Sequence, residues 1–213
     1  MDHFQEAEHV TMLRDTVRRF VEKEMPRTLA QEWDRENHFP REIFEQLSAL
    51  GVNALTVPEE FGGAGRDITA TMVVIEELAR RSMAVAVPYI MCACYGGMNI
   101  EEVGSDEQKR ELLPKLASGK LLFSYGISEP DVGADVASVR TTAVRKGNGA
   151  TVTINGAKRF CSGANIADYI YAVVKSDPDA ERYQNLSIVL IPPDTPGVTI
   201  ELQNSMGMKG AST

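Results

Sequence analysis

Phe123-Ser-Tyr-Gly-Ile-Ser-Glu-Pro-Asp-Val-Gly-Ala-Asp135 divides this 213-residue chain into two kinds of sequence. The stretch starts as an apolar, strand-like run and ends in a turn built from Pro130, Asp131 and Gly133. Before it, apolar residues recur at helical spacing. After it, they alternate as in strands. A change of architecture at one point suits a ligand cleft, because pockets favour domain interfaces.

Working back from the stretch, Val10, Leu13, Val17, Phe20, Val21 and Met25 predict an amphipathic helix over about residues 4–25, closed by Pro26. Residues 31–40, with the only tryptophan, Trp33, are expected to begin irregular. Pro40 suits a first helical turn, Ile43, Phe44, Leu47 and Leu50 form an apolar face, and Gly51 fits the position after the helix. Pro58-Glu-Glu-Phe-Gly-Gly-Ala-Gly65 lacks the Gly-Lys-Ser/Thr ending of a phosphate loop and reads as an ordinary inter-helix loop. Asp67 or Thr69 can cap a helix that buries Met72, Val73, Ile75, Leu78 and Ala79. Residues 83–100 are apolar nearly all round, as in a helix inside a bundle or at a subunit contact. Ser105-Asp-Glu-Gln108 is a capping box opening a helix with Leu112, Leu113 and Leu116; Pro114 predicts a kink or early stop, and Gly119 can end it.

Working forward, residues 121–127, 139–145, 151–154, 158–162, 169–174, 186–191 and 197–202 read as strands. Lys146-Gly-Asn-Gly149 and Asn155-Gly156 supply tight turns. Strands at roughly ten-residue spacing suggest a barrel or sandwich. The expected fold is thus α+β and multidomain: an all-α domain over residues 1–119, then an all-β domain over residues 120–213 that looks truncated at its end.

The net charge of −8 gives no general attraction for nucleic acid or anionic lipid. No run approaches about 18 apolar residues, so no membrane span is expected. The N-terminus lacks the basic and apolar regions of a signal peptide, which makes the cytoplasm the expected location. Cys92, Cys94 and Cys161 suit neither a disulfide framework nor a zinc site and read as small apolar groups. His3 and His9 read as solvated, and the pairs Glu59-Glu60, Glu76-Glu77 and Glu101-Glu102 as solvated faces. No hydrolytic, metal-binding or nucleotide-triphosphate constellation is present. What remains is the 123–128 strand with residues 158–163. Their Tyr125, Ser128, Ser162 and Phe160 can stack on and hydrogen-bond a flat heteroaromatic ring, although a plain domain seam fits the same residues.

These motifs resemble the acyl-CoA dehydrogenase family. Tyr125-Gly-Ile-Ser-Glu-Pro-Asp-Val-Gly-Ala-Asp135 is similar to its Thr/Ser-Glu-Pro-x-x-Gly-Ser-Asp signature, and Ile154-Asn-Gly-x-Lys158 to its Asn-Gly-x-Lys-x-Trp-Ile-Thr/Ser segment. Pro58-Glu-Glu-Phe-Gly-Gly and Gly207-Met-Lys-Gly-Ala-Ser-Thr213 resemble two further family segments, so the likeness runs the length of the chain. The resemblance implies FAD, lined by Tyr125, Ile127 and Ser128 from the first segment and by Phe160 and Ser162 from the second. It places Ala134 at the acyl-CoA contact. Ala134 stands where the family has Ser, Phe160 where it has Trp, and Gly163 where Asn is common.

The implied activity is FAD-dependent removal of two hydrogens from an acyl-CoA to give a 2,3-enoyl-CoA, within fatty acid and lipid metabolism. An electron-transfer flavoprotein is the implied electron acceptor, and a homodimer or tetramer the implied assembly. The proton-abstracting glutamate is expected beyond residue 213, so no catalytic base is assigned here. Two other readings share these residues: a non-catalytic partner subunit or acyl-CoA-binding module, and a flavin oxidase or monooxygenase of the same fold.

Overall fold

The computed structural model describes residues 6–147 and 151–211. His3, the expected helix start at Phe4, the Asn148-Gly149 part of the hairpin turn, and Ser212-Thr213 lie outside the described residues. Among the described residues two compact units form: residues 6–122 together with 204–211, and residues 123–147 with 151–203. By contacts the boundary follows Leu122, and residues 204–211 belong with the helical unit.

The helical unit holds α1 (Glu8–Glu24), α2 (Arg27–Glu36), α3 (Arg41–Ser48), α4 (Ile68–Ala79), α5 (Met83–Ile90), α6 (Met98–Val103) and α7 (Asp106–Ala117). α1 buries Val10, Val17 and Val21 and packs on α4. The residues expected to begin irregular are instead part of α2, which buries Trp33 and stops at Asn37 in the left-handed region (φ 53°). Asp67 caps α4, its carboxylate accepting from the Ala70 N–H at 2.8 Å, and Ser105 and Gln108 complete the capping box of α7. α7 runs through Pro114 without stopping.

α4 departs from its expected face in two ways. Met72 and Ala79 are exposed and Val74 is buried. Glu77, read as solvated, is 1% exposed. Its carboxylate accepts from Arg14 (3.0 Å), Arg18 (2.7 and 3.1 Å) and Arg80 (3.0 Å). A carboxylate removed from water must gain charged donors, and Arg14 and Arg18 also tie α1 to α4. The hydrogen bond from Arg18, opposed by burial and joined by Arg14, holds the Glu77 carboxyl below its ordinary range.

α5, a π-helical turn over Met91–Gly97, and α6 make one continuous helix. By length and composition alone, its 21 residues, 83–103, would be enough to cross a bilayer. Here 61% of its most apolar window is buried inside the structure, as in the core helix of a bundle.

The second unit holds β1 (Phe123–Gly126), β2 (Thr142–Lys146), β3 (Thr151–Asn155), β4 (Tyr169–Lys175) and β5 (Leu186–Ile191), all in one sheet. β5 pairs antiparallel with β4 along residues 170–175. β1 pairs parallel with β4 over residues 169–172, and β2 touches it at Thr142↔Lys175. A strand has only two edges, so β1 and β2 must succeed one another along the same edge of β4. Residues 127–141 leave the sheet where the exchange occurs. Ile170, Ala172 and Val174 join one apolar cluster with Ala143 and Ala164, while Val173 joins Val132 and Val139 in another. Alternation along β4 puts these clusters on opposite faces. Residues 197–202 are not a strand.

Candidate flavin and acyl-CoA site

Every residue assigned by sequence to the site lies in the β unit. β1 presents Phe123 and Tyr125 on one face, where they stack on Tyr169 (6.1 Å between ring centres) and Tyr171 (5.1 Å). These cross-strand aromatic pairs fix the parallel register. β1 has β4 on one edge and no strand on the other among the described residues. Half-buried Ile127 packs against the Val132, Val139 and Val173 cluster, and Ser128 follows it, also half-buried.

The signature then folds back on itself. The Glu129 N–H donates to Val132 O at 2.8 Å and Val132 returns a bond to Glu129 O at 3.2 Å, closing the turn over Pro130 and Asp131. Ala134 stands apart on the exposed limb of this turn. Its neighbour Asp135 accepts from the Ser138 hydroxyl and from Arg182, and these bonds hold its carboxyl below the ordinary range. Arg140 and Asp131 pair at 3.1 Å.

The second segment, read from sequence as a strand ending at Gly163, is irregular. Phe160 sits in the left-handed region at φ 59°, which no strand accommodates. The cause is tertiary: the Arg159 N–H turns away to donate to Ser128 O at 2.8 Å. Phe160 is 56% exposed and its ring lies 4.8 Å under the Arg159 guanidinium. A bulky residue held at positive φ with its ring in solvent is strain of the kind that marks ligand sites. Ser162 is half-buried, just before the Gly163 turn.

One carboxylate that sequence reading left without a role joins the two segments. Glu129, 7% exposed, accepts from the Arg140 N–H (2.7 Å), the Thr141 N–H (2.9 Å), the Thr141 hydroxyl (2.6 Å) and Lys158 Nζ (2.9 Å). Burial alone raises its pKa; the Thr141 hydroxyl, the Arg140 N–H, Lys158 and the Thr141 N–H outweigh that and hold it down at about 2. Lys158 also donates to Ile127 O at 3.0 Å. Gly156 makes room for this arrangement, since a Cβ there would come within 2.3 Å of Thr141 Oγ1. Both Glu129 and Lys158 are in the quoted motifs. Their partnership, across 29 residues, has no local signature.

The structure thus brings Ile127 and Ser128 against Lys158 and Arg159, next to Phe160 in sequence, and leaves Ala134 on its own turn. An open strand edge, two half-buried serine hydroxyls, a half-buried tyrosine and an exposed aromatic ring suit a flat ring with a hydrogen-bonding rim, the chemistry of an isoalloxazine. The residues fit the group.

Residues 7–120 match the description "Acyl-CoA dehydrogenase, N-terminal domain" and residues 124–213 match "Acyl-CoA dehydrogenase, middle domain". The chain belongs to the acyl-CoA dehydrogenase family. An acyl-CoA dehydrogenase of Bacillus subtilis (strain 168) is 33% identical over 210 residues, covering 96% of this chain and 54% of that protein. The solved glutaryl-CoA complex of glutaryl-coenzyme A dehydrogenase is 35% identical with a TM-score of 0.90, over 100% of this chain and 53% of that one. An acyl-CoA dehydrogenase complexed with FAD from Bacillus anthracis is 25% identical with a TM-score of 0.85, over 100% of this chain and 36% of that one. The chain spans about half the length of the curated relatives it matches.

Proposed function

We propose that the whole protein carries out FAD-dependent α,β-dehydrogenation of an acyl-CoA thioester to the 2,3-enoyl-CoA. The observation that carries this reading is the joining of residues 127–128 to residues 158–159 beside an open strand edge, within a chain of this family. Tyr125, Ile127 and Ser128 would hold FAD from one segment, and Phe160 and Ser162 from the other. Bound FAD supplies the acceptor for the hydrogen leaving the β-carbon. Ala134 would contact the acyl-CoA; it offers a methyl where a serine would offer a hydroxyl. The base that removes the α-proton is assigned to the part of the whole protein outside these 213 residues. An electron-transfer flavoprotein as acceptor, a homo-oligomeric state and a cytoplasmic location belong to the same proposal.

The test is spectroscopic. Purified full-length protein is expected to carry flavin absorbance that bleaches when an acyl-CoA is added without oxygen. A colourless full-length protein that takes up no added FAD overturns the reading. Rapid reoxidation by air after bleaching would replace it with the oxidase reading.

A further inference from the structure

We propose that Glu129 and Lys158 are positioning residues that set the spacing of the two flavin-holding segments, an inference that rests on the flavin reading above. Three stretches of backbone meet at this ion pair. Lys158 Nζ reaches both Ile127 O (3.0 Å) and Glu129 Oε1 (2.9 Å), so its own chain is drawn to the end of β1. Glu129 binds the backbone of Arg140 and Thr141, where β2 begins. Thr141 O in turn accepts from the Lys175 N–H of β4 at 2.7 Å. The clamp therefore refers residues 127–129 and 158–159 to the central strand of the sheet.

Its side chains are 11% and 5% exposed, too little for water to replace a lost bond at low cost. Neither residue carries a group assigned to the flavin. Ile127 and Ser128 precede Glu129, and Phe160 and Ser162 follow Lys158 by two and four residues. An error in the Lys158 position moves Phe160 and Ser162 relative to Ile127 and Ser128. Residues that orient metal ligands change metal affinity by about 10- to 100-fold when removed, and this clamp orients the proposed flavin-holding segments in the same manner.

K158M in the full-length protein removes the donor cation and leaves Glu129 its three bonds from Arg140 and Thr141. K158R retains a cation. FAD affinity of the apoprotein is expected to fall about tenfold in K158M, with a changed circular dichroism band of the bound flavin. K158R should stay within about threefold of wild type, because the charge is kept at the clamp. Amide hydrogen exchange at residues 127–129 and 157–160 is expected to accelerate in K158M while exchange in α1 and α4 is unchanged. Wild-type FAD affinity and flavin dichroism in K158M overturn the proposal. So does unchanged exchange at the two segments, a readout that needs no cofactor. Failure of the wild type to take up FAD overturns the dehydrogenase reading instead, and the exchange result then decides whether the clamp sets the spacing.

Discussion

A carboxylate at 7% exposure is tolerated only when its oxygens are occupied, and Glu129 shows how completely that can be met. Its folded pKa of about 2 lies below the ordinary 4.5, so the sign of its pH effect follows directly. The carboxylate stabilises the fold fully above pH 4.5, and that contribution disappears as pH falls from 4.5 towards 2. The shift corresponds to roughly 3 kcal/mol. E129Q cannot titrate, so the gap in unfolding free energy between wild type and E129Q is expected to be widest above pH 5 and to close towards pH 2. Urea unfolding followed by near-ultraviolet dichroism at several pH values measures it, and a gap that does not vary with pH refutes the assignment. At this scale the sequence was only partly readable. Tyr125, Ser128, Phe160 and Ser162 stand out by type and motif, whereas the worth of Glu129 depends on N–H groups 11 and 12 residues away and on an ammonium 29 residues away.

Elements were legible where their causes are local. The α7 capping box and the Asp67 cap are short-range hydrogen bonds between residues three apart, and both form as the residue order predicts. Removing a cap of this sort costs about 1 kcal/mol. D67A is therefore expected to lower stability by about that amount, and by slightly more if the exposed His9–Asp67 contact at 2.9 Å contributes. Thermal unfolding of the helical unit tests it; D67N, which keeps an accepting oxygen, should recover most of the loss. Elements were misread where water or tertiary bonds decide. Pro114 does not stop α7 because it lies on the solvent side, where water can serve the Arg110 carbonyl that its missing N–H leaves free. Residues 158–162 lie between a tight turn and Gly163 as a strand would, yet the bond from Arg159 to Ser128 holds them in a loop. Glu77 sits next to exposed Glu76, and only the approach of α1 with Arg14 and Arg18 explains why one is buried and its neighbour is not.

For the molecule as a whole, the order of periodicities announced a helical part and a β part, but not that the chain visits the helical part twice. After the β unit, residues 204–211 return to it and end in a 3₁₀ turn, Lys209–Ala211, packed on α2 and α5. Ala211 is fully buried, and the Lys209 N–H donates to Asp34 at 3.3 Å. Periodicity cannot report this, since eight residues with three glycine or alanine positions carry too little pattern to name a partner. The return depends on Gly210, where a Cβ would come within 2.5 Å of both Ala84 Cβ and His38 O. Because one of those neighbours is backbone, the turn must move to accept a side chain. G210V is accordingly expected to destabilise the helical unit by about 2 kcal/mol, in the range of overpacking a filled site. The measurement is residue-resolved hydrogen exchange on the full-length protein. Faster exchange in α2 and at the start of α5, with the β4 amides protected as in wild type, is the expected result. Equal loss of protection in β4 would show that the returning segment serves the β unit as well, contrary to its assignment to the helical unit alone.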